Sequence, residues 1–331
     1  MEHYKVAYIQ QICEKVITPL FLLFGIIGNA ASVAVLRRKR LRHSFDEVEQ
    51  SATSGLVCLV LSDMSFCIIG LMSVLMPSYP MELQESQVLA IIAMYYNNFK
   101  APLLNIFLLT STWLIIAVSV GRYLAISDPF NAKYAVTVIH KHSIQCVIFI
   151  VSILINLPQF LHFRIIHGPC YQGCYCYFRV PGLFRHIIWY YIIWHLIGTL
   201  LPLLILFYCN CHLLHQVYKS LHGVSHRYST SKITVILVGV ISLFLVLVCP
   251  SMILTFLGNV RIKKYEIYNH RIAVSVTNTL QSLNFAVNFI LYSCISKQFR
   301  QIFLQLFRCR RSKITRVKTR YKLRRMEQPA R

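Results

Sequence analysis

Acidic side chains are scarce in this chain, which has 11 Asp and Glu against 34 Lys and Arg in 331 residues. Charged residues of both signs make up only 14% of the sequence, whereas hydrophobic residues make up 56%. A soluble globular chain typically has about 25% charged residues. The shortage of charge is therefore untypical of a soluble globular protein and points to a membrane protein.

Seven apolar runs are each long enough to cross a hydrocarbon layer about 30 Å thick, which takes roughly 20 helical residues. Hydrocarbon offers the backbone no hydrogen-bond partner, and none of the runs alternates as a barrel strand would, so each is predicted to be a helix. The predicted fold is an all-α membrane protein, a seven-transmembrane helix bundle. The predicted spans are 16–36, 54–76, 99–126, 143–163, 187–217, 233–257 and 272–295.

The distribution of basic residues sets the orientation of the bundle. With the N-terminus outside, 24 of the 34 Lys and Arg lie on the inner side, as the positive-inside rule requires. The sequence thus predicts a multi-pass protein of the plasma membrane, with an extracellular N-terminus at 1–15, the bundle at 16–295 and a basic cytoplasmic tail at 308–331. Anionic membrane lipid accounts for the basic residues, so no nucleic-acid partner is expected.

Asp63 is the one acidic residue within the predicted spans. A channel or transporter would be expected to carry acidic rings, paired charges or repeated halves, and an intramembrane protease a second aspartate or an HExxH helix. The sequence has none of these, so we predict that the protein is not an enzyme.

Polar residues nevertheless occur at several depths in the predicted helices. A buried carboxylate is costly unless it is protonated or partnered, and amide and hydroxyl oxygens around it could hold a small hard cation. We predict that one polar network gathers in the bundle around Asp63 as its metal ligand. Its predicted members are Asn29, Asp63, Ser111, Asn284 and Asn288.

At these positions the chain resembles the rhodopsin-like family of G-protein-coupled receptors. The motifs occur in the family's order and on separate spans. They are Gly28-Asn29, Leu59 to Asp63, Gly121-Arg122-Tyr123 in place of the usual Asp-Arg-Tyr, Pro202, Pro250, and Asn288-Phe289-Ile290-Leu291-Tyr292.

The segment 296–307 follows the last span and has the apolar spacing of a helix that lies along a membrane surface. Phe299, Ile302, Phe303 and Leu306 form its apolar face. It is similar to the short amphipathic eighth helix of the family, and Cys309 just beyond it is a palmitoylation candidate.

Within the family the chain is most similar to FMRFamide and myomodulin receptors and to an orphan branch linked to aromatic amino acids. Leu104 stands where amine receptors need a carboxylate, and Ser282 stands where opsins need a lysine. The resemblance implies a receptor for an extracellular ligand, a neuropeptide first. The alternatives are a small molecule such as an aromatic amino acid, or a constitutively active orphan receptor.

Dispersed amides, hydroxyls and aromatics suit a peptide ligand. The candidate ligand contacts are Asn105, Leu108, Trp194, Thr255, Asn278 and Gln281. Trp194 equally fits an interfacial anchor, and Asn105 and Asn278 equally fit ties between helices. A small pocket dominated by aromatics would favour the amino acid, whereas a wide basic vestibule would favour the peptide. That vestibule would be built from Arg164, Arg179, Arg185 and Lys263.

The family mechanism implies that the ligand biases the bundle toward a state whose cytosolic end binds a heterotrimeric G protein. The candidate switch residues are Arg122, Tyr123, Asn210, Phe244 and Tyr292. A sodium ion at Asp63 would stabilise the resting state, and no other cofactor is expected.

Three departures from the family pattern carry further expectations. Gly121 supplies no acid beside Arg122, nor does Thr230 in the sixth helix, so basal signalling is expected to be raised.

Val248 replaces the usual tryptophan, which leaves Phe244 as the aromatic side chain that repacks when the sixth helix moves. Asn97 stands where the usual disulfide cysteine is expected, so the bridge is predicted within the loop or to Cys13. The disulfide candidates are Cys13, Cys170, Cys174 and Cys176.

Overall fold

The computed structural model describes residues 2–38, 47–76, 87–127, 138–169, 175–182, 188–221, 232–259 and 267–306. Within these residues the chain forms a bundle of long helices, called helices 1 to 7 in chain order, and one short β-hairpin. A short helix 8 at 297–306 follows. The predicted fold class, a seven-helix transmembrane bundle, is confirmed.

Helix 1 begins well before the boundary predicted at residue 16. It consists of Glu2–Ile12, a π-turn at Cys13–Ile17 and Thr18–Leu36. The first piece packs against helix 7, and both Val6 and Cys13 are buried. Most of the segment 1–15, predicted only as an extracellular N-terminus, is therefore helical and extends the bundle.

Helices 2 to 7 agree with the predicted spans in the middle and differ at the ends: several extend past the apolar runs, whereas helix 4 ends before its predicted boundary. Their bounds are Glu47–Leu75 for helix 2, Gln87–Ser127 for helix 3, Val138–Asn156 for helix 4, Ile188–His195 and Leu201–Leu221 around the π-turn Leu196–Leu200 for helix 5, Lys232–Leu247 and Cys249–Asn259 for helix 6, and Ile267–Ile295 for helix 7.

Six of the described helical spans are long and apolar enough to cross a membrane. Helix 7 is the seventh, and its 29 residues also exceed the length that a bilayer requires. It contains several Asn, Ser and Thr side chains on its inward face, including Asn284 and Asn288. Polar residues of a membrane helix that face the bundle interior are typical of functional positions.

A β-hairpin follows helix 4 where the sequence predicted helix to residue 163. Helix 4 ends at Asn156, and a 3-10 turn at Leu157–Leu161 leads into the antiparallel strands β1 (Phe163–Pro169) and β2 (Tyr175–Pro181). Pro158 removes a backbone donor at this point, which favours the end of the α-helix.

Helices 1, 2 and 7 approach closely at two glycines. A methyl group added to Gly25 would lie 2.6 Å from Cys67 Sγ of helix 2, and one added to Gly28 would lie 2.9 Å from Phe289 Cβ of helix 7. The absence of a side chain at these two positions therefore lets the three helices meet.

Helix 6 has a break at Val248, two residues before Pro250. Proline cannot donate to the carbonyl four residues earlier, so it interrupts the helical ladder. Phe244, one turn below the break, is wholly buried. The break thus lies directly above a buried aromatic side chain.

Helix 8 confirms the predicted amphipathic segment. Ser296 Oγ accepts a hydrogen bond from Phe299 N at 3.1 Å and caps the helix. Arg300 Nη1 donates to the carbonyl oxygens of Ser293 and Cys294 at 2.9 and 2.8 Å, which satisfies the end of helix 7. Phe299 packs against Tyr292, with ring centroids 5.8 Å apart.

Candidate functional site

A cavity of about 1140 Å³ lies at the end of the bundle that holds Cys13–Ile17 of helix 1. We call it the main cavity. Side chains of helices 1, 2, 3, 5, 6 and 7 line it, together with the end of the 3-10 turn after helix 4. All six residues predicted as ligand contacts are among those that line it, namely Asn105, Leu108, Trp194, Thr255, Asn278 and Gln281.

Trp194 is buried, with 8% of its surface exposed. Its Nε1 donates a hydrogen bond to Asn156 Oδ1 at 3.0 Å, between helices 5 and 4. An interfacial anchor would place this ring against lipid headgroups, whereas here the indole N–H is satisfied inside the bundle. The position therefore fits the wall of the main cavity better than an interfacial anchor.

The two cavity asparagines do tie helices together. Asn105 Nδ2 donates to Gln159 Oε1 at 2.7 Å, and Asn278 Oδ1 accepts from Ser251 Oγ at 3.0 Å. Each amide still has polar atoms beyond this bond, because an amide offers two donors and an acceptor with two lone pairs. The tie between helices and contact with a ligand are thus compatible at both positions.

Several cavity residues were not identified from the sequence. Glu14, Lys15, Lys100, Gln159 and His162 also line the main cavity. All five lie at or near an end of a predicted apolar span, where sequence reasoning assigns polar side chains to water. A search for charged residues within one turn of each span end would have found Glu14, Lys15 and Lys100.

The predicted polar network is assembled in part. Ser111 Oγ donates to Asp63 Oδ1 at 2.7 Å, and Asn288 Nδ2 donates to Asp63 Oδ2 at 2.6 Å. Asn284 is buried one turn before Asn288. Asn29 instead donates from Nδ2 to the carbonyl oxygen of Phe285 at 2.9 Å.

The donor set around Asp63 suits a small hard cation. Asp63 is 1% exposed, and no described residue forms an ion pair with it. The described residues contain no group of three or more His, Cys, Asp or Glu that could hold a metal ion. Carboxylate, hydroxyl and amide oxygens are ligands of hard cations.

The predicted switch residues lie at the opposite end of the bundle. Tyr123 Oη lies 3.4 Å from Tyr208 Oη of helix 5, and its ring meets His212 edge-on at 4.5 Å. Asn210 Nδ2 donates to Ser242 Oγ at 3.1 Å and so joins helices 5 and 6. Arg122 is buried in helix 3.

Tyr292 and Phe244 complete this end of the bundle. Both side chains are almost wholly buried, and the Tyr292 hydroxyl makes no hydrogen bond to a described residue. A buried hydroxyl without a partner is costly.

The cysteine predictions are resolved only in part. Cys13 is a free, buried thiol, so the predicted bridge to Cys13 is not formed; the side chain packs in helix 1 instead. Cys176 lies in β2, opposite Gly168. Three of the predicted cysteines lie outside the described residues, namely Cys170, Cys174 and Cys309. The same holds for Arg185, Thr230, Lys263 and the side chain of Arg179.

Comparison with known proteins gives the family. Residues 33–292 match the model of the 7 transmembrane receptor (rhodopsin family). The FMRFamide receptor of Drosophila melanogaster is 25% identical over 303 residues, or 87% of this chain and 52% of that receptor. Human CX3C chemokine receptor 1 is 27% identical over 206 residues, or 60% and 54% of the two chains.

Human galanin receptor type 1 is 24% identical over 310 residues, which cover 91% of this chain and 83% of that receptor. The chain thus spans about half the length of the FMRFamide receptor and most of the galanin receptor. These relatives are all named as receptors, and the resemblance to FMRFamide receptors seen in the sequence is confirmed. The chain belongs to the rhodopsin family of seven-transmembrane receptors.

Proposed function

We propose that this chain is a plasma-membrane receptor for an extracellular peptide, with its N-terminus outside, and that it signals through a cytosolic heterotrimeric G protein. The observation that carries the proposal is the main cavity. It brings together six side chains selected from the sequence as ligand contacts, from helices 3, 5, 6 and 7. Convergence of polar groups from several elements on one cavity is typical of a binding site.

The size and lining of the main cavity support a peptide over an amino acid. Its volume of about 1140 Å³ exceeds the roughly 300–1,000 Å³ that is usual for small-molecule sites. Phe66 and Trp194 are the only Phe, Tyr or Trp side chains among the described residues that line it. A pocket for a lone aromatic amino acid would be smaller and more aromatic.

Among the described residues, basic side chains other than Arg164 give the main cavity the character expected of a peptide vestibule. Lys15, Lys100 and His162 line the main cavity. Arg164 is exposed on β1 and is not among the lining residues that the structure describes. The names of two relatives, the FMRFamide receptor and galanin receptor type 1, support a peptide ligand.

Transmission to the G protein would use the break in helix 6. A ligand that contacts Thr255 of helix 6 and Asn278 of helix 7 shifts the population toward the arrangement of these helices that it binds more tightly. Because Phe244 packs below the break at Val248, movement of the lower half of helix 6 must repack this ring. The space so opened would expose Arg122 and Tyr292 to a G protein.

The polar network would hold a sodium ion in the resting state. Asp63 and Ser111 would supply oxygen ligands, with Asn284 and Asn288 beside them, and the ion would neutralise the buried carboxylate. Since these residues belong to helices 2, 3 and 7, any rearrangement that separates them weakens the site. Sodium and the ligand would therefore oppose one another.

The test is second-messenger output, cAMP and calcium together, in cells that express the full chain. The cells are measured without ligand and then with a panel of amidated neuropeptides and aromatic amino acids. The expected result is a response to a peptide that Arg122→Ala abolishes while cell-surface expression and peptide binding persist. A response to amino acids alone would replace the peptide proposal, and high output that no ligand alters would indicate constitutive signalling.

A further inference from the structure

We propose that Glu14 is an anionic subsite of the main cavity, which binds a cationic group of the ligand, a guanidinium or an ammonium. The inference rests on the receptor function proposed above and adds the charge that the ligand carries at one position. Glu14 is the only acidic residue among the described residues that line the cavity.

The backbone of helix 1 is irregular at Glu14 and lies against helix 7 there. Glu14 lies within the π-turn Cys13–Ile17, which interrupts helix 1 beside helix 7. π-turns inside α-helices are frequent at functional sites. One turn further along, Thr18 Oγ1 and Thr279 Oγ1 are 3.0 Å apart, so a hydrogen bond holds the two helices together.

The Glu14 carboxylate is oriented but not neutralised. Ser275 Oγ of helix 7 donates to Glu14 Oε1 at 2.6 Å, and Gln10 Nε2 donates to the same oxygen at 3.1 Å. Both donors are uncharged, and no described residue forms an ion pair with Glu14. Oε2 accepts no hydrogen bond from a described residue, so one carboxylate oxygen remains for a ligand.

The other charges of the cavity make this position selective. Lys15 and Lys100 also line the cavity, and both repel a cation. Lys15 follows Glu14 in the same π-turn but forms no ion pair with its carboxylate. A cationic group on the ligand is therefore attracted at Glu14 and disfavoured near the lysines, which fixes the direction in which a peptide enters.

A purely structural role for Glu14 makes a different prediction. If Glu14 only joined helix 1 to helix 7, a neutral acceptor would serve equally well, because Ser275 and Gln10 need only an oxygen. Glu14→Gln keeps that oxygen and removes the charge. The two roles are thus separable by the charge of the ligand.

The experiment uses three peptides on the full-length receptor in cells. They are FMRFamide, the peptide in the name of the Drosophila relative, the same peptide with neutral citrulline in place of arginine, and the same peptide with lysine there. On the unmodified receptor the citrulline peptide is expected to be about tenfold less potent than the two cationic peptides, which corresponds to about 1.4 kcal/mol. Glu14→Gln is expected to remove this difference.

Matched variants separate charge from packing. Lys15→Gln removes a neighbouring cation and is expected to preserve or increase the preference for cationic peptides. Ser275→Ala keeps the Glu14 charge and is expected to retain a preference, in weakened form. Glu14→Ala replaces Glu14→Gln if the latter does not reach the cell surface.

The outcomes distinguish this inference from the proposed function. A response to all three peptides with equal potency, or a preference that survives in the neutral Glu14 variant, overturns the Glu14 subsite and leaves the peptide receptor in place. Silence of the unmodified receptor to all three peptides also overturns the subsite; a response to a neutral peptide would then keep the peptide receptor, and a response to amino acids alone would contradict it.

Discussion

Asn288 of helix 7 donates a hydrogen bond to Asp63 of helix 2 at 2.6 Å, although 225 residues of sequence separate them. Ser111 of helix 3 donates to the other carboxylate oxygen at 2.7 Å. One buried carboxylate thereby joins three helices. Its two protein partners are neutral, so the charge is oriented but remains uncompensated by described residues.

Asp63→Asn is expected to remove the sodium dependence of agonist affinity. In the unmodified receptor, sodium would stabilise the resting contact among helices 2, 3 and 7 and so lower agonist affinity. The variant lacks the charge that attracts the ion. The measurement is agonist binding in sodium chloride and in choline chloride at equal ionic strength.

Ser62→Ala is the matched control for this measurement. Ser62 is buried beside Asp63 in sequence, but its Oγ donates to the carbonyl oxygen of Phe107 and not to the carboxylate. The control should therefore keep the sodium dependence. Equal sodium dependence in Asp63→Asn and in the unmodified receptor would contradict a sodium site.

The sequence predicted the contact of Asp63 with Ser111 and Asn288 because polar residues in hydrocarbon must find one another. It did not predict the partner of Asn29, which is a backbone carbonyl of helix 7. Side-chain partners follow from residue type and depth, whereas backbone partners depend on how closely two helices approach. That approach is set by small residues such as Gly25 and Gly28, whose role becomes clear only in three dimensions.

The ends of the spans were the least predictable part of the fold. Apolar runs indicate where hydrocarbon lies, and so they gave the middle of each helix. The extension of helix 1 to Glu2, its π-turn and the hairpin after helix 4 all lie at or beyond the ends of the predicted apolar spans. At such positions water can form hydrogen bonds with the backbone, so a regular helix is not required. Tertiary packing then determines which local structure forms.

Gly121→Asp is expected to lower basal signalling. A methyl group added at Gly121 would meet no atom within 4 Å, so a Cβ fits there without strain. The new carboxylate beside Arg122 would favour the resting state by a charge-assisted hydrogen bond of about 1.5–3 kcal/mol, and each 1.4 kcal/mol changes a population about tenfold. Second-messenger output without ligand measures the effect.

Gly121→Asn provides the neutral comparison at the same position and of similar size. Basal output should fall in the aspartate variant and change little in the asparagine variant, at equal cell-surface expression. An equal fall in both would mean that bulk at this position, and not charge, controls the resting state.

Gly28→Ala is expected to destabilise the bundle by about 1–3 kcal/mol, the usual cost of overpacking. The added methyl group would lie 2.9 Å from Phe289 Cβ, and this ring also packs against Phe299 and Phe303 of helix 8, so it has little room to move. The melting temperature of the purified receptor in detergent should fall.

Gly121→Ala is the control for this stability measurement, because it places the same methyl group in open space. Alanine is also the better helix former, so this variant should keep or slightly raise the melting temperature. An unchanged melting temperature in Gly28→Ala would show that helices 1 and 7 separate easily at this point.

A disulfide between Cys170 and Cys174 is the last prediction, and it rests on the register of the described strands. β1 and β2 pair Gly168 with Cys176 and Pro169 with Tyr175. Cys170 and Cys174 themselves lie outside the described residues. Pro169 and Tyr175, the sequence neighbours of these two cysteines, are a cross-strand pair, and such pairs have Cα atoms about 4.5–5.5 Å apart.

That separation lies within the roughly 4.4–6.8 Å range of natural disulfides. Mass spectrometry of the alkylated, unreduced receptor is expected to show Cys170 joined to Cys174, and Cys13 and Cys176 as alkylated thiols. Cys176→Ser should leave the bridge intact, whereas a bridge that includes Cys13, or alkylation of all four residues, would contradict the register argument.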